Sequence, residues 1–359
     1  MEKKERFLTA IQNKQPDRIP IFASLTPQMA LRLSAALGIP ATEEDSFLST
    51  RISNVEILNH LGNDAVCVGA LRETPTKTLE NGRMVDEFGI QYQTVGLYNE
   101  AVVRPLAGVE SVEEVEEYRF PDPLAPQRFQ LARENIAKYS KDYAIIGDLE
   151  ATIFELAWNL MGLEDFLMGM FTEEAHIDAI LDGCMNFNIQ IAEQLVDLGC
   201  EMIWLGDDVG TQSNLMISPQ VYRRSLKPRL TKVIQAIKAR NSSVKVAYHS
   251  CGAISGLIPD LIEAGIDVLN PLQPKATGMD LGRLKKEYGK DIAFFGGIDV
   301  QGVLPNGTVE DVRNEVKLRI SQAGENGGFV IAPAHNIQPD TSVENVLAMY
   351  EAVFEFGKY

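Results

Sequence analysis

The sequence contains little cysteine and no long apolar run, and each shortage excludes a class of protein. Four cysteines in 359 residues are too few and too widely spaced for the disulfide framework of a small secreted domain. No stretch approaches the roughly 20 apolar residues that a membrane-crossing helix needs. The first residues alternate charged and apolar side chains and lack the apolar centre of a signal peptide. We therefore expect a soluble, cytoplasmic protein with no membrane partner.

Basic residues are also under-represented, because 33 lysines and arginines stand against 50 aspartates and glutamates. The formal net charge of −17 repels polyanions, so nucleic acid is not an expected partner. Apolar residues make up 45% of the chain and charged residues 23%, close to the average of globular proteins. A large core can therefore form, and we expect residues 1–359 to be one domain.

Short apolar runs alternate with longer amphipathic segments, which is typical of a parallel α/β fold. Thr26-Pro27 and Ser218-Pro219 indicate helix starts, because each offers an N-cap residue followed by proline at the first helical position. Eight apolar runs predict a (β/α)8 TIM barrel. They are Arg18–Phe22, Asp64–Val68, Tyr143–Ile146, Met202–Leu205, Val244–Tyr248, Asp267–Asn270, Ile292–Phe295 and Gly328–Ile331.

A segment between the second and third predicted strands has the composition of a β-hairpin. Gly82–Thr94 is rich in strand-forming residues around Gly89, so we expect a hairpin inserted in a barrel loop. Such an insertion would form a lid or an interface, and a homodimer is one assembly compatible with it.

Polar side chains follow most of the predicted strands, and in a (β/α)8 barrel the active site is built from these carboxyl ends. Each of the carboxylates, taken alone, could instead cap a helix, since aspartate satisfies free helix amides well. The histidines are more telling, because two of the four fall at strand ends. The residues at these ends are Asp148, Glu150, Asp207, Asp208, His249, Cys251, Gln273, Asp299 and His335.

His249 and Cys251 are separated by one residue directly after the fifth predicted strand. Alternate residues of an extended segment project to the same side, so both side chains could bind one zinc ion. A catalytic zinc site uses three protein ligands and leaves a fourth position open. His335 is the candidate third ligand, with Asp208 or Glu150 as substitutes.

Several segments resemble the uroporphyrinogen decarboxylase superfamily. The likeness is strongest from Trp204 to the end of the sequence and implies a (β/α)8 barrel independently of the strand count. Its members divide between tetrapyrrole decarboxylases and zinc-dependent methyltransferases that exchange methyl groups with a corrinoid protein. The segments that carry the resemblance are Glu5–Pro20, Tyr248–Leu261, Asp267–Gln273, Phe294–Asp299, Ala332–Thr341 and Val343–Val346.

The sequence departs from the decarboxylase branch of this family in two places. The decarboxylases carry an arginine-rich segment after the first strand and an aspartate after the second. The corresponding stretches here, Phe22–Pro27 and Val68–Leu71, contain neither. His249-x-Cys251 instead looks like the zinc motif of the methyltransferases, whose third ligand is a cysteine where this chain has His335.

The resemblance therefore implies a zinc-dependent methyltransferase that moves a methyl group between a small methyl donor or acceptor and the corrinoid of a partner protein. Zinc would be held by His249, Cys251 and His335. Catalytic roles are expected for Asp148, Asp207 and Asp208, which would orient ligands or substrate, and substrate-binding roles for Gln273 and Asp299. The alternatives are a decarboxylase of a tetrapyrrole or smaller acid, and a barrel retained as a binding protein without catalysis.

We predict that the protein given uroporphyrinogen does not release coproporphyrinogen. Without an arginine cluster after the first strand, the substrate's carboxylates lack the bidentate partners that usually recognise them. Product analysis by chromatography checks this, with an authentic decarboxylase as positive control. Sustained conversion at an ordinary enzymatic rate, on the order of 1 per second, would contradict the branch assignment.

Overall fold

Parallel strands form the centre of the fold in the computed structural model, which describes residues 1–46, 49–96 and 98–359. Seven strands make one parallel sheet in the order β1-β6-β7-β8-β9-β10-β11, and the sheet curls in the manner of a TIM barrel. These strands are β1 Ala65–Gly69, β6 Ala144–Glu150, β7 Met202–Gly206, β8 Lys245–His249, β9 Val268–Leu272, β10 Ala293–Ile298 and β11 Phe329–Pro333.

Helices separate the strands of this sheet, as the alternating sequence pattern predicts. Thr26 and Ser218 cap α2 and α9, each of which begins with proline. Among the described residues, no helix has the length and apolar character needed to cross a membrane. The helices are α1 Lys3–Ile11, α2 Pro27–Leu37, α3 Val55–Leu61, α4 Val112–Glu117, α5 Gln130–Tyr139, α6 Phe154–Met161, α7 Leu163–Thr172, α8 Ala175–Asp197, α9 Pro219–Val221, α10 Lys227–Arg240, α11 Ile258–Ala264, α12 Leu281–Tyr288, α13 Val303–Asn306, α14 Val309–Ala323 and α15 Val343–Phe356.

The strands divide their side chains between two apolar clusters, because successive residues of a strand point to opposite faces. In β7, Met202 and Trp204 belong to a cluster that includes Phe7 of α1. The intervening Ile203 and Leu205 belong to the larger cluster that includes the surrounding helices. The first cluster fills the inside of the curled sheet, and the second joins the sheet to its helical layer.

A second, separate sheet lies where the sequence predicts a single inserted hairpin. Four antiparallel strands follow one another in the order β2-β3-β4-β5. Their bounds are β2 Lys77–Thr78, β3 Met84–Val85, β4 Gln91–Val95 and β5 Tyr98–Val103. This segment is therefore larger than the hairpin that was expected at Gly82–Thr94.

The first of the eight predicted strands, Arg18–Phe22, is corrected by the structure. Ile21 forms an isolated parallel bridge with Ile331 of β11 and not a continuous strand. The physical reason is Pro20, which has no N–H to donate to a ladder. Backbone bonds still join this segment to both edges of the sheet, since Phe22 N donates to Ile331 O over 3.2 Å and Asp64 N to Ile21 O over 2.9 Å.

Two side chains complete the seam between this segment and β1. Asn63 Oδ1 accepts from Ala23 N over 3.0 Å, and the Asp64 carboxylate accepts from Ile21 N over 2.9 Å. Asp64 is fully buried and also forms ion pairs with Arg6 at 2.8 Å and Arg18 at 2.9 Å. One carboxylate thus replaces missing ladder bonds and connects α1 to the seam.

We predict that Asp64→Asn lowers the free energy of unfolding by about 3 kcal/mol or more, because removing one partner leaves buried charges uncompensated. Urea unfolding followed by circular dichroism measures the change. The exposed Asp291 provides the control, and Asp291→Asn should alter stability by less than about 0.5 kcal/mol. Equal stabilities of the two variants would show that Asp64 does not hold the seam.

Candidate metal centre

Three neighbouring strands place Glu150, Gly206 and His249 in one register at the carboxyl end of the sheet. Gly206 sits between the other two and has no side chain. A Cβ at this position would lie 3.0 Å from His249 Cβ and 3.6 Å from Glu150 Cγ. The glycine therefore leaves the space across which His249 Nε2 and Glu150 Oε1 approach to 3.5 Å.

The sequence places His249 and Cys251 on the same side of the chain after β8, and the structure brings both to Asp208. His249 Nε2 lies 3.5 Å from Cys251 Sγ and 3.6 Å from Asp208 Oδ1. The three donor atoms all lie within 4.8 Å of one another. Asp208 also fixes the loop, because its Oδ1 accepts from Cys251 N over 2.7 Å.

Burial gives these donors the protonation states of a centre that needs a cation. Burial lowers the pKa of His249 to about 4, so the imidazole is neutral at pH 7 and can offer a lone pair. Burial, with the nearby Asp208 carboxylate, raises the pKa of the Cys251 thiol well above its usual range. A positive charge between these groups would stabilise the thiolate beside the carboxylate.

A zinc ion fits this donor set. Zinc binds imidazole nitrogen, thiolate sulfur and carboxylate oxygen, and catalytic sites use three such ligands. Among the described residues, Asp208, His249 and Cys251 form the group of three that meets this geometry. His335, predicted as the third ligand, does not belong to the group.

His335 instead lies at the rim of the centre, where its side chain is exposed. It lines a cavity of about 130 Å³ that His249, Arg51 and Trp204 also line. It also lines an outer pocket of about 320 Å³ together with Gln273. His335 thus connects the inner cavity to the outer surface.

Arg51 also lines the inner cavity, although no sequence pattern indicated a role for it. Its guanidinium forms an ion pair with Glu150 and a second with Asp148 at 3.3 Å. It also lies 4.4 Å from the centre of the Trp204 ring. Arg51 precedes α3 and does not follow a strand, so its place in the sequence does not indicate an active-site residue of a barrel.

Asn270 is a second residue that the sequence analysis missed. Its Oδ1 lies 2.5 Å from His249 Nδ1, and its Nδ2 donates to Phe295 O over 3.1 Å. A detectable signal existed, because an asparagine interrupts the otherwise apolar run of β9 and a buried amide needs partners.

Asp207, one residue before Asp208, makes the contacts of a helix cap. Its carboxylate accepts from Ile153 N over 3.0 Å and from Glu155 N over 2.9 Å, at the start of α6. Burial raises the pKa of Asp207 to about 7, against the opposing effect of these amides. The carboxylate is thus engaged by the backbone of α6.

The two predicted substrate-binding residues also contact the backbone. Asp299 accepts from Gln301 N over 2.9 Å and from Gly302 N over 3.2 Å, just before α13. Gln273 Oε1 accepts from Gly252 N over 2.7 Å and so holds the loop that carries Cys251. Asp148, by contrast, reaches the cavity through its pair with Arg51.

Comparisons with known proteins identify a family that matches most of the chain and a solved structure with a similar fold. Residues 89–356 match the family described as uroporphyrinogen decarboxylase (URO-D). A methyltransferase from Methanosarcina mazei of known structure has a TM-score of 0.74, covers 99% of both chains and is 22% identical. It therefore shows the same fold.

Among curated relatives, the methylcobamide:CoM methyltransferase MtaA of Methanosarcina barkeri strain Fusaro is 24% identical over 361 residues, which is 98% of each chain. A methylated-thiol–coenzyme M methyltransferase of Methanosarcina mazei is 25% identical over 202 residues, 56% of this chain and 51% of its own. A uroporphyrinogen decarboxylase of Thermus thermophilus is 27% identical over 194 residues, 52% of this chain and 50% of its own.

The adjacent aspartates give a matched pair of variants. Asp207→Ala should lower the free energy of unfolding by about 1–2 kcal/mol, as the loss of a helix cap does, and should leave bound zinc unchanged. Asp208→Ala should remove one of the three donors suited to zinc and so lower the zinc content. Urea unfolding and elemental analysis of both variants measure the two effects. Loss of zinc from Asp207→Ala but not from Asp208→Ala would reverse these roles.

Proposed function

The chain belongs to the uroporphyrinogen decarboxylase (URO-D) family, and from this premise we propose that it is a zinc-dependent methyltransferase that exchanges a methyl group between a small substrate and a corrinoid protein. The observation that carries the proposal is the convergence of His249 Nε2, Cys251 Sγ and Asp208 Oδ1 within 4.8 Å of one another. One imidazole, one thiol and one carboxylate form a donor set suited to zinc.

One relative supports the methyltransferase branch through coverage. The methylcobamide:CoM methyltransferase of Methanosarcina barkeri strain Fusaro aligns with this chain over 98% of both lengths. The methylated-thiol–coenzyme M methyltransferase and the Thermus decarboxylase each align over about half. We infer from the names of these relatives that the methyl donor is a methylated corrinoid on a partner protein and that the acceptor is a small thiol. The homodimer has no support in these comparisons.

Each group of the cavity has a distinct task in this proposal. Bound zinc would act as a Lewis acid that acidifies a thiol or polarises an ether oxygen. His249, Cys251 and Asp208 would hold it, while Asn270 orients the imidazole. Arg51 neutralises part of the negative charge that Glu150 and Asp148 bring to the cavity.

The grouping of donor atoms favours Asp208 over His335 as the third ligand. Asp208 Oδ1 lies 3.6 Å from His249 Nε2, whereas His335 lies at the exposed rim. We propose that His335 contacts the substrate as it enters, together with Gln273 in the outer pocket. Coordination by His335 remains the alternative.

The alternative function, decarboxylation of a tetrapyrrole, has less support from the residues that line the cavity. Recognition of a substrate with many carboxylates calls for several free guanidinium groups. Among the described residues that line the inner cavity, Arg51 is the one arginine, and it already pairs with Glu150 and Asp148. An anionic tetrapyrrole would have to displace these carboxylates.

We predict near-stoichiometric zinc in the purified protein and its loss in Cys251→Ala. The matched control is Cys184→Ala, because Cys184 is a buried cysteine in α8 outside the donor group. Zinc is measured by elemental analysis after dialysis against a weak chelator.

The wild type, Cys184→Ala and Cys251→Ala should also differ in their rates of methyl transfer. With methylcobalamin as donor and coenzyme M as acceptor, the wild type and Cys184→Ala should demethylate the corrinoid, seen as a change in its absorption spectrum. Cys251→Ala should lose at least about 100-fold in rate, since a missing electrostatic or Lewis-acid group typically costs this much. Full activity without zinc would refute the proposal.

A further inference from the structure

We propose that Asn270 is a positioning residue that determines which nitrogen of His249 carries the proton. In this arrangement Nδ1 is protonated and Nε2 presents its lone pair to Cys251 and Asp208. The proposal rests on the proposed function in one respect, because a free Nε2 matters only if a metal binds there. The tautomer itself can be measured without metal.

The orientation of the Asn270 amide follows from its partner on β10. Asn270 is buried, and its Nδ2 lies 3.1 Å from the carbonyl oxygen of Phe295. A backbone carbonyl can only accept a hydrogen bond, so the amide nitrogen must face it. Turning the amide over would place two oxygens against each other and leave a buried carbonyl without its donor. Oδ1 must therefore point away from Phe295.

The other side of the amide faces His249. Asn270 Oδ1 lies 2.5 Å from His249 Nδ1, and an amide oxygen can only accept. Nδ1 must then be the donor. A neutral imidazole has one N–H, so Nε2 is the unprotonated nitrogen. Nε2 is the atom that lies 3.5 Å from Cys251 Sγ and 3.6 Å from Asp208 Oδ1.

Two features would favour the opposite tautomer. Arg51 Nη2, itself a donor, lies 3.4 Å from His249 Nδ1. The acceptors Glu150 Oε1 and Asp208 Oδ1 lie 3.5 Å and 3.6 Å from Nε2, both much longer than the contact at Nδ1. In that tautomer the lone pair of Nδ1 would face Asn270 Oδ1 across 2.5 Å. The guanidinium also has other acceptors, since it pairs with Glu150 and Asp148. The shorter contact and the engaged arginine both favour a proton on Nδ1.

The backbone of β10 therefore fixes the orientation of the Asn270 amide. The amide in turn fixes the proton on His249 Nδ1 and leaves Nε2 free to bind a metal. Residues with this role accept a hydrogen bond from the ring nitrogen of a metal-bound histidine that does not bind the metal. Their loss usually lowers metal affinity by about 10–100-fold. Removing Asn270 would leave Arg51 as the nearest donor to Nδ1, which would move the proton to Nε2 and block it.

The first test is ¹⁵N NMR of the histidine rings in the metal-free, full-length protein at neutral pH. The sequence has four histidines, His60, His176, His249 and His335, so single His→Gln variants assign the signals. We expect His249 to show a protonated Nδ1 and an unprotonated Nε2. A proton on Nε2 in the wild type would overturn the proposal.

Variants of Asn270 provide the second test. Asn270→Asp retains an acceptor for Nδ1–H and should retain the tautomer, whereas Asn270→Leu should shift it towards protonated Nε2. Asn345→Leu is the matched control, because Asn345 is a buried asparagine whose Nδ2 donates to the backbone carbonyl of Leu304 over 2.9 Å. This control should leave the His249 signals unchanged. An unchanged tautomer in Asn270→Leu, or a lost one in Asn270→Asp, would overturn the proposal.

Cobalt(II) titration, followed by its visible absorption, supplies a readout beyond the tautomer. Asn270→Leu should bind cobalt about 10–100-fold more weakly than the wild type, and Asn345→Leu should bind it normally. If Asn270→Leu does not fold, the wild-type tautomer and Asn270→Asp still decide the question. If no protein binds metal but the tautomer follows Asn270, the proposed function fails and this inference stands. If cobalt affinity is the same in Asn270→Leu and wild type, the positioning role is wrong.

Discussion

Successive side chains of a strand point to opposite faces, and this two-residue period decides which residues reach the centre of the curled sheet. In β7 the inward series begins with Met202 and Trp204, and continuing it by two residues at a time leads through Gly206 to Asp208. In β8 the inward series includes Ala247, and continuing it by two residues at a time leads to His249 and then Cys251. The candidate metal centre is thus the polar continuation of an apolar interior.

That interior explains the electrostatics of the centre. The rings of Trp204 and His249 stack, with their centroids 6.4 Å apart and their planes inclined by 30°. One face of the imidazole therefore lies against an apolar side chain. Burial lowers the pKa of the imidazole and so keeps it neutral. Burial and the neighbouring Asp208 carboxylate raise the pKa of the Cys251 thiol and so keep it protonated. Charges inside such a site interact strongly because little water screens them. A divalent cation would compensate the carboxylate and the thiolate together.

Much of this arrangement could be predicted from the sequence. Seven of the eight apolar runs became strands of the main sheet, and His249 and Cys251 met as their spacing suggested. The period of the strand could also have separated Asp208 from Asp207, had the inward face of β7 been known. Arg51 could not be predicted, because it reaches the cavity from a loop whose path depends on tertiary packing. Pro20 limited the first strand, and the seam then relied on side chains such as Asp64.

The coordination shell of bound zinc tests the central claim most directly. X-ray absorption at the zinc edge of the purified protein should show one sulfur at about 2.3 Å and nitrogen or oxygen ligands at about 2.0–2.2 Å. The imidazole scattering should correspond to one histidine and should be unchanged in His335→Ala. Two sulfur ligands, or zinc bound without Cys251, would contradict the account.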